Sequence, residues 1–362
     1  MEPTILLESM NPSGTLRAIV EQTDTTVYLY IQPHPDLAEQ YPMRSSWVRN
    51  LTAAPAEFDY ESMQQGLAPL LPAIHCAHPE GATAMEEERL SLVWFEAEDG
   101  ASLLYDEEII AIIPGWSLYM ENPVTYAKDC ITETNTLFPL TTDNVLIAAT
   151  DKAIAYVDQW TEDSSPWPAT QEYILSSYEK VFGPHHQYFA IDGGTWPPMA
   201  LVSFKYEDLF VFLSVGISQR PMPWVDYLYS DTATAYRRME LGIAVQQSLG
   251  EGFAMELAQG IAGLAGMPWR KISWLGEGHT ISSNAVKPPF ESLILSSALY
   301  NGPALPALEM NGDKVNIYWA QPVTQAEREF AHKEPNGGYP LIEKMINADI
   351  NWVITGNRPP VV

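Results

Sequence analysis

Three pairs of apolar runs, each joined by two or three turn-forming residues, constrain the fold of this chain more than any other feature. The polar turns lie at residues 23–25, 98–100 and 207–208. Side chains of a strand alternate between its two faces, so apolar alternation on both sides of a short turn predicts a β-hairpin. The chain is therefore expected to build antiparallel sheets.

Helical patterns stand in blocks between these hairpins. Asp106 is placed to cap a short helix over residues 107–114. Residues 145–160 fit either a helix or a strand running into one, and the pattern does not separate them. Residues 169–182 carry apolar side chains at helical spacing, and Gly183 is expected to close that helix.

The C-terminal half continues in the same way. The stretch from Tyr236 to about residue 266 predicts two helices interrupted near Gly250 and Gly252. Thr324, three residues before Glu327, predicts a capping box that opens another helix. Further strands are expected at residues 272–281, 291–300 and 314–323, and a final amphipathic helix at residues 339–350. Strands and helices thus occur in groups without regular βαβ alternation. This order predicts an α+β fold with mixed, mainly antiparallel sheets and flanking helices.

Most of the excess negative charge lies in the N-terminal part of the chain. The net charge is −27 over 362 residues. Residues 1–165 hold 27 acidic and 6 basic side chains, whereas the remainder holds 19 and 13. A polar stretch with two prolines, residues 162–171, follows this shift. We therefore expect an acidic α+β domain over residues 1–160 and a second domain over residues 161–362.

The acidity limits the possible partners. A strongly negative field repels nucleic acid and anionic membranes, and it attracts cationic proteins. Acidity also keeps a protein soluble without any further role, and charge alone does not separate these two interpretations. The acidic runs at residues 86–88 and 106–108 are expected to be solvated faces.

The two cysteines, Cys76 and Cys130, are too few for a disulfide framework. The first ten residues lack the basic and then apolar pattern of a signal peptide. The chain also has no apolar run near the ~20 residues that a membrane helix needs. These observations predict a cytoplasmic protein that is not membrane-bound.

The best candidate for chemistry is the cluster of His75, Cys76 and His78, whose side chains are zinc or copper ligands. A structural zinc site needs four ligands, and no second Cys/His pair stands at motif spacing, so a loop is favoured over a metal site. No hydrolase, metalloprotease or nucleotide-binding motif occurs in the sequence. We expect no cofactor and no enzymatic activity.

Two segments carry residues that protein interfaces favour. Arg220, Met222 and Trp224 lie in a proline-containing loop, and Arg, Met and Trp are enriched where partners bury side chains. A loop that covers the domain's own core explains the same residues and is favoured. The segment around Gly276, Gly278 and His279 is expected to be a glycine turn between two strands.

Four motifs in order resemble the Suppressor of fused domain, in its bacterial branch: GISQRPMPW, YRRMELGI, MPWRKISWLGEGHTI and KVNIYWAQPVTQAEREFAHKE. The resemblance covers about residues 168–358. The N-terminal region is similar to the extension of longer bacterial members, through SLVWFEAEDGASLLYDEEIIAIIPGWS and NPVTYAKDC.

The resemblance implies a mixed α/β fold without a known active site. It also implies binding to another protein, since animal members sequester a transcription factor by strand addition and bacterial members are regarded as immunity proteins against toxins. We therefore expect a partner-binding, immunity-type module that sequesters a cationic toxin. The alternatives are a regulatory adaptor, or a metal enzyme using His75, Cys76 and His78. The expected partner contacts are Arg220, Met222, Trp224, Trp274, Glu277 and His279.

Overall fold

The computed structural model of the chain describes residues 3–61, 68–161, 165–333 and 335–362. These residues form two compact units. The first unit holds the described residues up to 161 together with Trp269–Ile272. The second holds Ser165–Pro268 and Ser273–Val362. Residues 162–164, within the stretch where the sequence places the domain boundary, lie outside the described residues.

Two sheets make up most of the first unit. The first sheet has four antiparallel strands in chain order: β1 (Thr4–Met10), β2 (Leu16–Gln22), β3 (Thr26–Pro33) and β4 (Arg44–Asn50). The second has five strands, also in chain order and antiparallel except for the parallel pair β8–β9: β5 (Leu90–Trp94), β6 (Ala101–Tyr105), β7 (Glu108–Ile113), β8 (Thr125–Ala127) and β9 (Leu137–Pro139). The hairpins expected around residues 23–25 and 98–100 are confirmed as β2–β3 and β5–β6.

The two sheets of the first unit share one apolar core. Leu16 and Leu29 of the first sheet are fully buried in the same cluster as Leu103 and Ile113 of the second. Large branched side chains that are removed from water on both sheets stabilise the pairing, by about 25 cal/mol for each Å² of apolar surface. Helix α1 (Val145–Thr161) resolves the ambiguity over residues 145–160 in favour of a helix.

The short helix expected after Asp106 is wrong. Residues 108–113 form strand β7, which pairs with β6 and β8. Asp106 and Glu107 instead make the tight turn between β6 and β7, with φ of 50° and 67°. Eight residues cannot form a stable isolated helix, whereas a β-branched, isoleucine-rich run is well suited to a strand between two neighbours.

A nine-stranded sheet forms the centre of the second unit. Its strands are β10 (Gln187–Ala190), β11 (Ala200–Tyr206), β12 (Leu209–Val215), β13 (Arg238–Gln246), β14 (Thr280–Ser282), β15 (Phe290–Ser296), β16 (Leu308–Met310), β17 (Asp313–Thr324) and β18 (Val353–Ile354). The main order is β10-β11-β12-β13-β17-β15-β14. β13 pairs in parallel with β17 and β18, and the other pairs are antiparallel. The hairpin around residues 207–208 is confirmed as β11–β12.

Six further helices follow in the chain. They are α2 (Trp167–Phe182), α3 (Val225–Tyr229), α4 (Glu251–Leu264), α5 (Met267–Lys271), α6 (Gln325–His332) and α7 (Gly338–Asn347). Residues 269–271 of α5 belong to the first unit. Tyr178 and Phe182 of α2 pack against the sheet beside Trp319 and Trp352. Gly183 ends α2 with φ of 80°, as the sequence predicts. The seven described helices and the mixed sheets confirm the α+β class.

The prediction of two helices between Tyr236 and residue 266 is half wrong. Its first part is strand β13, which lies between β12 and β17 in the middle of the sheet. Eight of its nine residues are buried. A strand that is covered on both faces loses its apolar–polar alternation, so its sequence resembles that of a buried helix. The second part is helix α4, as expected.

Two further expectations are corrected near the end of the chain. Residues 272–279 do not form a strand, and the strand expected there is reduced to β14. The glycine turn around Gly276 and Gly278 consequently follows helix α5 and precedes β14, and does not join two strands. The final helix is confirmed as α7, although β18 follows it.

Candidate functional site

A buried carboxylate fixes the loop after β12 through hydrogen bonds. Glu240 of β13 is fully buried and accepts hydrogen bonds from the backbone N–H groups of Gly216 and Ser218, both at 3.0 Å, and from two serine hydroxyls. Burial raises the pKa of Glu240, and the four donors act against that shift. Gly216 has φ of 100° and leaves no room for a Cβ, which would lie 2.8 Å from the Pro198 carbonyl oxygen.

A second buried group holds the same loop. Arg238 Nη1 donates to the carbonyl oxygens of Ser218 at 3.0 Å and Gln219 at 2.7 Å, while its Nε donates to Asp313 at 2.7 Å. Arg237 also binds Asp313 through two hydrogen bonds of 2.8 Å. Buried charges that are paired in this way fix the backbone in one conformation.

The three interface candidates of this loop have different environments. Arg220 and Met222 are buried, with exposed fractions of 6% and 2%. Met222 Sδ accepts the backbone N–H of Leu275 at 3.4 Å, which connects the loop to the glycine turn. Trp224 is half-buried, with φ of 70°, and its ring lies 6.3 Å from that of Tyr227. Arg220 and Met222 therefore support the domain from inside, and Trp224 is the member of the three that reaches the surface.

The other three candidates meet in one open pocket. Trp274, Glu277 and His279 line a cavity of about 370 Å³, together with Tyr229 and Tyr339. The remaining lining residues include Thr280, His332 and Asn336. We call this cavity the tyrosine pocket. Sequence reasoning missed Tyr229 and Tyr339, although the tyrosine-rich segment from 227 to 236 is visible in the sequence.

Ring contacts build one wall of the tyrosine pocket. The Tyr229 ring stacks on Tyr236 with a centroid distance of 4.3 Å and meets Trp274 edge-on at 5.4 Å. Trp274 in turn contacts the His279 ring edge-on at 4.2 Å. Aromatic pairs at these distances stabilise each other by about 0.5–1.5 kcal/mol beyond their burial, so this wall is preformed.

The floor depends on two glycines that leave no room for side chains. Gly278 has φ of 81°, and a Cβ added to Gly338 would lie 2.1 Å from the Gly278 carbonyl oxygen. The glycine turn thus packs directly against the backbone at the start of α7. The Gly278 N–H donates to the Leu295 carbonyl oxygen at 2.8 Å, which fixes the turn to β15.

Glu277 provides the charge of the tyrosine pocket. Its carboxylate accepts hydrogen bonds from the Ser297 N–H at 2.8 Å, the Ser297 hydroxyl at 2.6 Å and the Ser296 hydroxyl. No Lys or Arg is found among the described residues that line the cavity. Burial lowers the pKa of His279, so its ring is neutral at pH 7.

The phenols stay protonated. Burial, and next the charge of Glu277, raises the pKa of Tyr318 in β17 and of Tyr339 in the pocket lining. Burial and the neighbouring phenols do the same for Tyr229. The described lining of the pocket therefore combines uncharged aromatic side chains with one fixed carboxylate.

The acidic runs of the first unit come together in space. Residues 86–88 and 106–108 are all exposed, and Arg89 pairs with both Glu86 and Asp106. Arg89 also lies over the Tyr105 ring at 4.3 Å, and Lys128 pairs with Glu108. Three of these six carboxylates thus pair with Arg89 or Lys128, and we call residues 86–88 and 106–108 the acidic cluster.

The candidate metal ligands His75, Cys76 and His78 make other contacts. His75 Nδ1 contacts the Thr132 hydroxyl at 2.6 Å, and His78 Nε2 lies 3.8 Å from the Asp129 carboxylate. Cys76 is buried opposite Cys130 in an antiparallel β-bridge. Within the described parts of the chain, no three His, Cys, Asp or Glu side chains are grouped to hold a metal ion.

Comparison with known proteins finds a similarity within the second unit. Residues 195–359 match the family model "Suppressor of fused protein (SUFU)", and no curated protein matches the chain. The tyrosine pocket lies within the matched segment. This family comprises non-enzymatic, protein-interacting regulators. None of the helices in the described ranges is long and apolar enough to cross a membrane. Residues 195–359, nearly all within the second unit, are therefore similar to the Suppressor of fused family, and an additional sheet-containing unit precedes them in the chain.

Proposed function

We propose that the chain captures a basic protein and neutralises it by sequestration, as a cytoplasmic immunity protein does with a toxin. The observation that carries this proposal is the tyrosine pocket, in which aromatic side chains and Glu277 meet without a lysine or arginine among the described lining residues. Aromatic side chains in concave sites are the groups that dominate binding energy at protein interfaces.

Exposed apolar side chains that neighbour the pocket residue Tyr229 in the chain or by ring contact support the proposal together with Tyr339, and we call this group the rim. Tyr227, Leu228, Tyr236 and Tyr339 are between 39% and 47% exposed, and they belong to α3, the segment after it and the start of α7. Large apolar side chains clustered at a surface mark interaction sites more often than scattered ones do. Trp224, one of the expected contacts, adjoins this rim through Tyr227.

The net charge of −27 supplies the second support. Opposite charges accelerate the encounter of two proteins, and short-range aromatic contacts then slow their dissociation. We propose that the acidic cluster of the first unit accelerates association with the partner. The tyrosine pocket of the second unit then slows its dissociation. In this division the partner is cationic, and nucleic acid and anionic membranes are repelled.

The proposal is tested with the product of the open reading frame beside the gene for this chain, used as the candidate toxin. The full chain and the toxin are expressed together, and growth is compared with expression of the toxin alone. We expect restored growth and a stoichiometric complex by analytical ultracentrifugation. Absence of a complex at micromolar concentrations, with growth still inhibited, would contradict sequestration.

A regulatory adaptor is the second candidate, favoured by the regulatory character of the family. An adaptor does not need a basic partner, so salt separates the two candidates. Binding to a basic toxin weakens steeply with salt concentration, whereas an adaptor that recognises its partner through the aromatic rim alone binds with little dependence on salt.

The metal-enzyme alternative is disfavoured by the contacts of its proposed ligands. His75 and His78 contact Thr132 and Asp129, and Cys76 is buried. Elemental analysis of the purified chain tests this alternative directly. We expect less than stoichiometric zinc or copper, and one equivalent of either metal that is lost on replacing His75 or His78 would revive the alternative.

A further inference from the structure

The tyrosine pocket has the size and shape of a site for one small group or side chain. Its volume of about 370 Å³ is near the lower end of the range for ligand pockets in proteins, about 300–1,000 Å³. It opens to solvent and is lined by side chains of α3, the glycine turn and α7. A single long side chain of a partner protein is therefore a suitable occupant.

The charge of the lining selects a cation. Glu277 carries the fixed charge, His279 is neutral because its burial lowers its pKa, and the described lining includes no lysine or arginine. An anionic group in this cavity would meet a carboxylate without compensation, whereas a cation would gain from it. Tyr and Trp rings add to this preference, because the faces of aromatic rings attract cations by about 0.5–2 kcal/mol.

Glu277 retains one place for a further donor. A carboxylate offers about four acceptor positions, two on each oxygen. The Ser297 N–H and hydroxyl occupy two positions on Oε2, and the Ser296 hydroxyl occupies one on Oε1. The serine contacts fix the orientation of the carboxylate, and the remaining position on Oε1 is available to an N–H of an incoming group.

We propose that the tyrosine pocket binds a guanidinium side chain of the partner protein, with Glu277 accepting its N–H and Tyr229, Trp274 and Tyr339 surrounding its planar group. Arginine is favoured over lysine because a planar guanidinium stacks on aromatic rings and donates in a fixed fork. This inference rests on the proposed function, and it names the chemical group through which the partner is held.

The test uses the full chain and two small probes of nearly equal shape. N-acetyl-arginine methylamide carries the cation, and N-acetyl-citrulline methylamide is its neutral counterpart. Binding is followed by NMR on protein with labelled tyrosine and tryptophan rings. We expect the arginine probe to shift the Tyr229, Tyr339 and Trp274 signals with a millimolar Kd, and the citrulline probe to bind at least ten-fold more weakly.

Substitutions test which residues are needed to bind the arginine probe. Glu277→Gln is expected to raise the Kd of the arginine probe at least ten-fold, and Tyr339→Leu to raise it about three-fold or more. Tyr339 is 47% exposed, so its replacement leaves the fold intact. Glu343→Gln on the same helix removes an equal charge from an exposed position outside the pocket and is expected to leave the Kd unchanged. Circular dichroism and thermal melting confirm that each variant is folded.

Two outcomes would overturn the inference: equal binding of both probes, or arginine binding that Glu277→Gln and Tyr339→Leu leave intact. Failure here is distinguishable from failure of the proposed function. If the chain neutralises its toxin but the pocket does not bind guanidinium, the inference is wrong and sequestration stands. If the pocket binds guanidinium but no toxin is neutralised, the proposed function is wrong and the inference on the pocket stands.

Discussion

Glu240 shows how one residue determines the shape of a loop. Its carboxylate lies under residues 216–218 and accepts four hydrogen bonds from them and from Ser214. An acidic side chain in the centre of a sheet is costly unless donors surround it. The arrangement therefore links β13, which carries Glu240, to the conformation of the loop after β12.

We expect Glu240→Ala to lower the free energy of unfolding by about 3–5 kcal/mol, because four buried donors lose their acceptor. Glu240→Gln keeps the shape and is expected to cost less. Chemical denaturation monitored by tryptophan fluorescence measures both. Glu343→Ala serves as the exposed control and should change stability by less than about 0.5 kcal/mol. A loss of similar size in the control would contradict the role of Glu240.

At the scale of elements, the start of α6 joins three parts of the second unit. Thr324 and Glu327 form a capping box, and Arg358 binds the Glu327 carboxylate with both of its terminal nitrogens. The Val361 N–H donates to the same carboxylate at 3.0 Å. Burial acts to raise the pKa of Glu327, but the hydrogen bonds from Arg358, Thr324 and Val361 outweigh it and lower the pKa.

A lowered pKa in the folded state has a defined consequence for stability. The contribution of Glu327 is fully present above the unfolded value of about 4.3 and is lost as the pH falls through the folded pKa. We expect Glu327→Gln to be less stable than the parent at pH 7, with the difference shrinking below about pH 4. Urea unfolding at several pH values measures this, and a difference that does not depend on pH would refute the ionic role of Glu327.

The bridge between Cys76 and Cys130 is a second feature at this scale. The two residues face each other in an antiparallel pair, with hydrogen bonds from Ala77 to Asp129 and from Ile131 to His75 on either side. Both thiols are buried and free. Burial raises the pKa of Cys76, and it raises that of Cys130 to about 11.

We expect both thiols to react slowly with DTNB at pH 8, because the thiolate is the reactive form and the raised pKa keeps it scarce. In guanidinium chloride, two thiols per chain should react quickly. The absorbance of released thionitrobenzoate measures both rates. Rapid reaction of either cysteine in the folded protein would contradict the burial described here.

At the scale of the whole molecule, the acidic cluster lies in the first unit and the tyrosine pocket in the second. We expect neutralising the acidic cluster to lower the association rate with a basic partner about ten-fold at low salt and to leave the dissociation rate almost unchanged. The substitutions are Glu86→Gln, Glu87→Gln, Glu88→Gln, Asp106→Asn, Glu107→Gln and Glu108→Gln. Stopped-flow fluorescence at several salt concentrations measures the effect.

A matched control removes the same number of charges elsewhere. The exposed residues Glu172, Glu207, Glu251, Glu309, Glu329 and Glu343 of the second unit are replaced by glutamine. If this control slows association as much as neutralising the acidic cluster, net charge is responsible and the cluster has no special role.

Local signals in the sequence determined much of the fold. The hairpins at residues 23–25, 98–100 and 207–208 need a short turn between alternating strands. The capping box of Thr324 and Glu327 likewise depends on neighbours in the sequence. Trp274, Glu277 and His279 were named from the sequence, and the structure brings them into one cavity.

The tertiary structure decided what local signals leave open. β13 is a strand because β12 and β17 cover its edges, and β7 is a strand because β6 and β8 pair with it. Tyr229 and Tyr339, 110 positions apart in the sequence, face the same cavity. Short-range patterns are set by neighbouring residues, whereas burial and pocket formation depend on contacts between distant segments, so only the folded chain brings Glu277 and its tyrosines together.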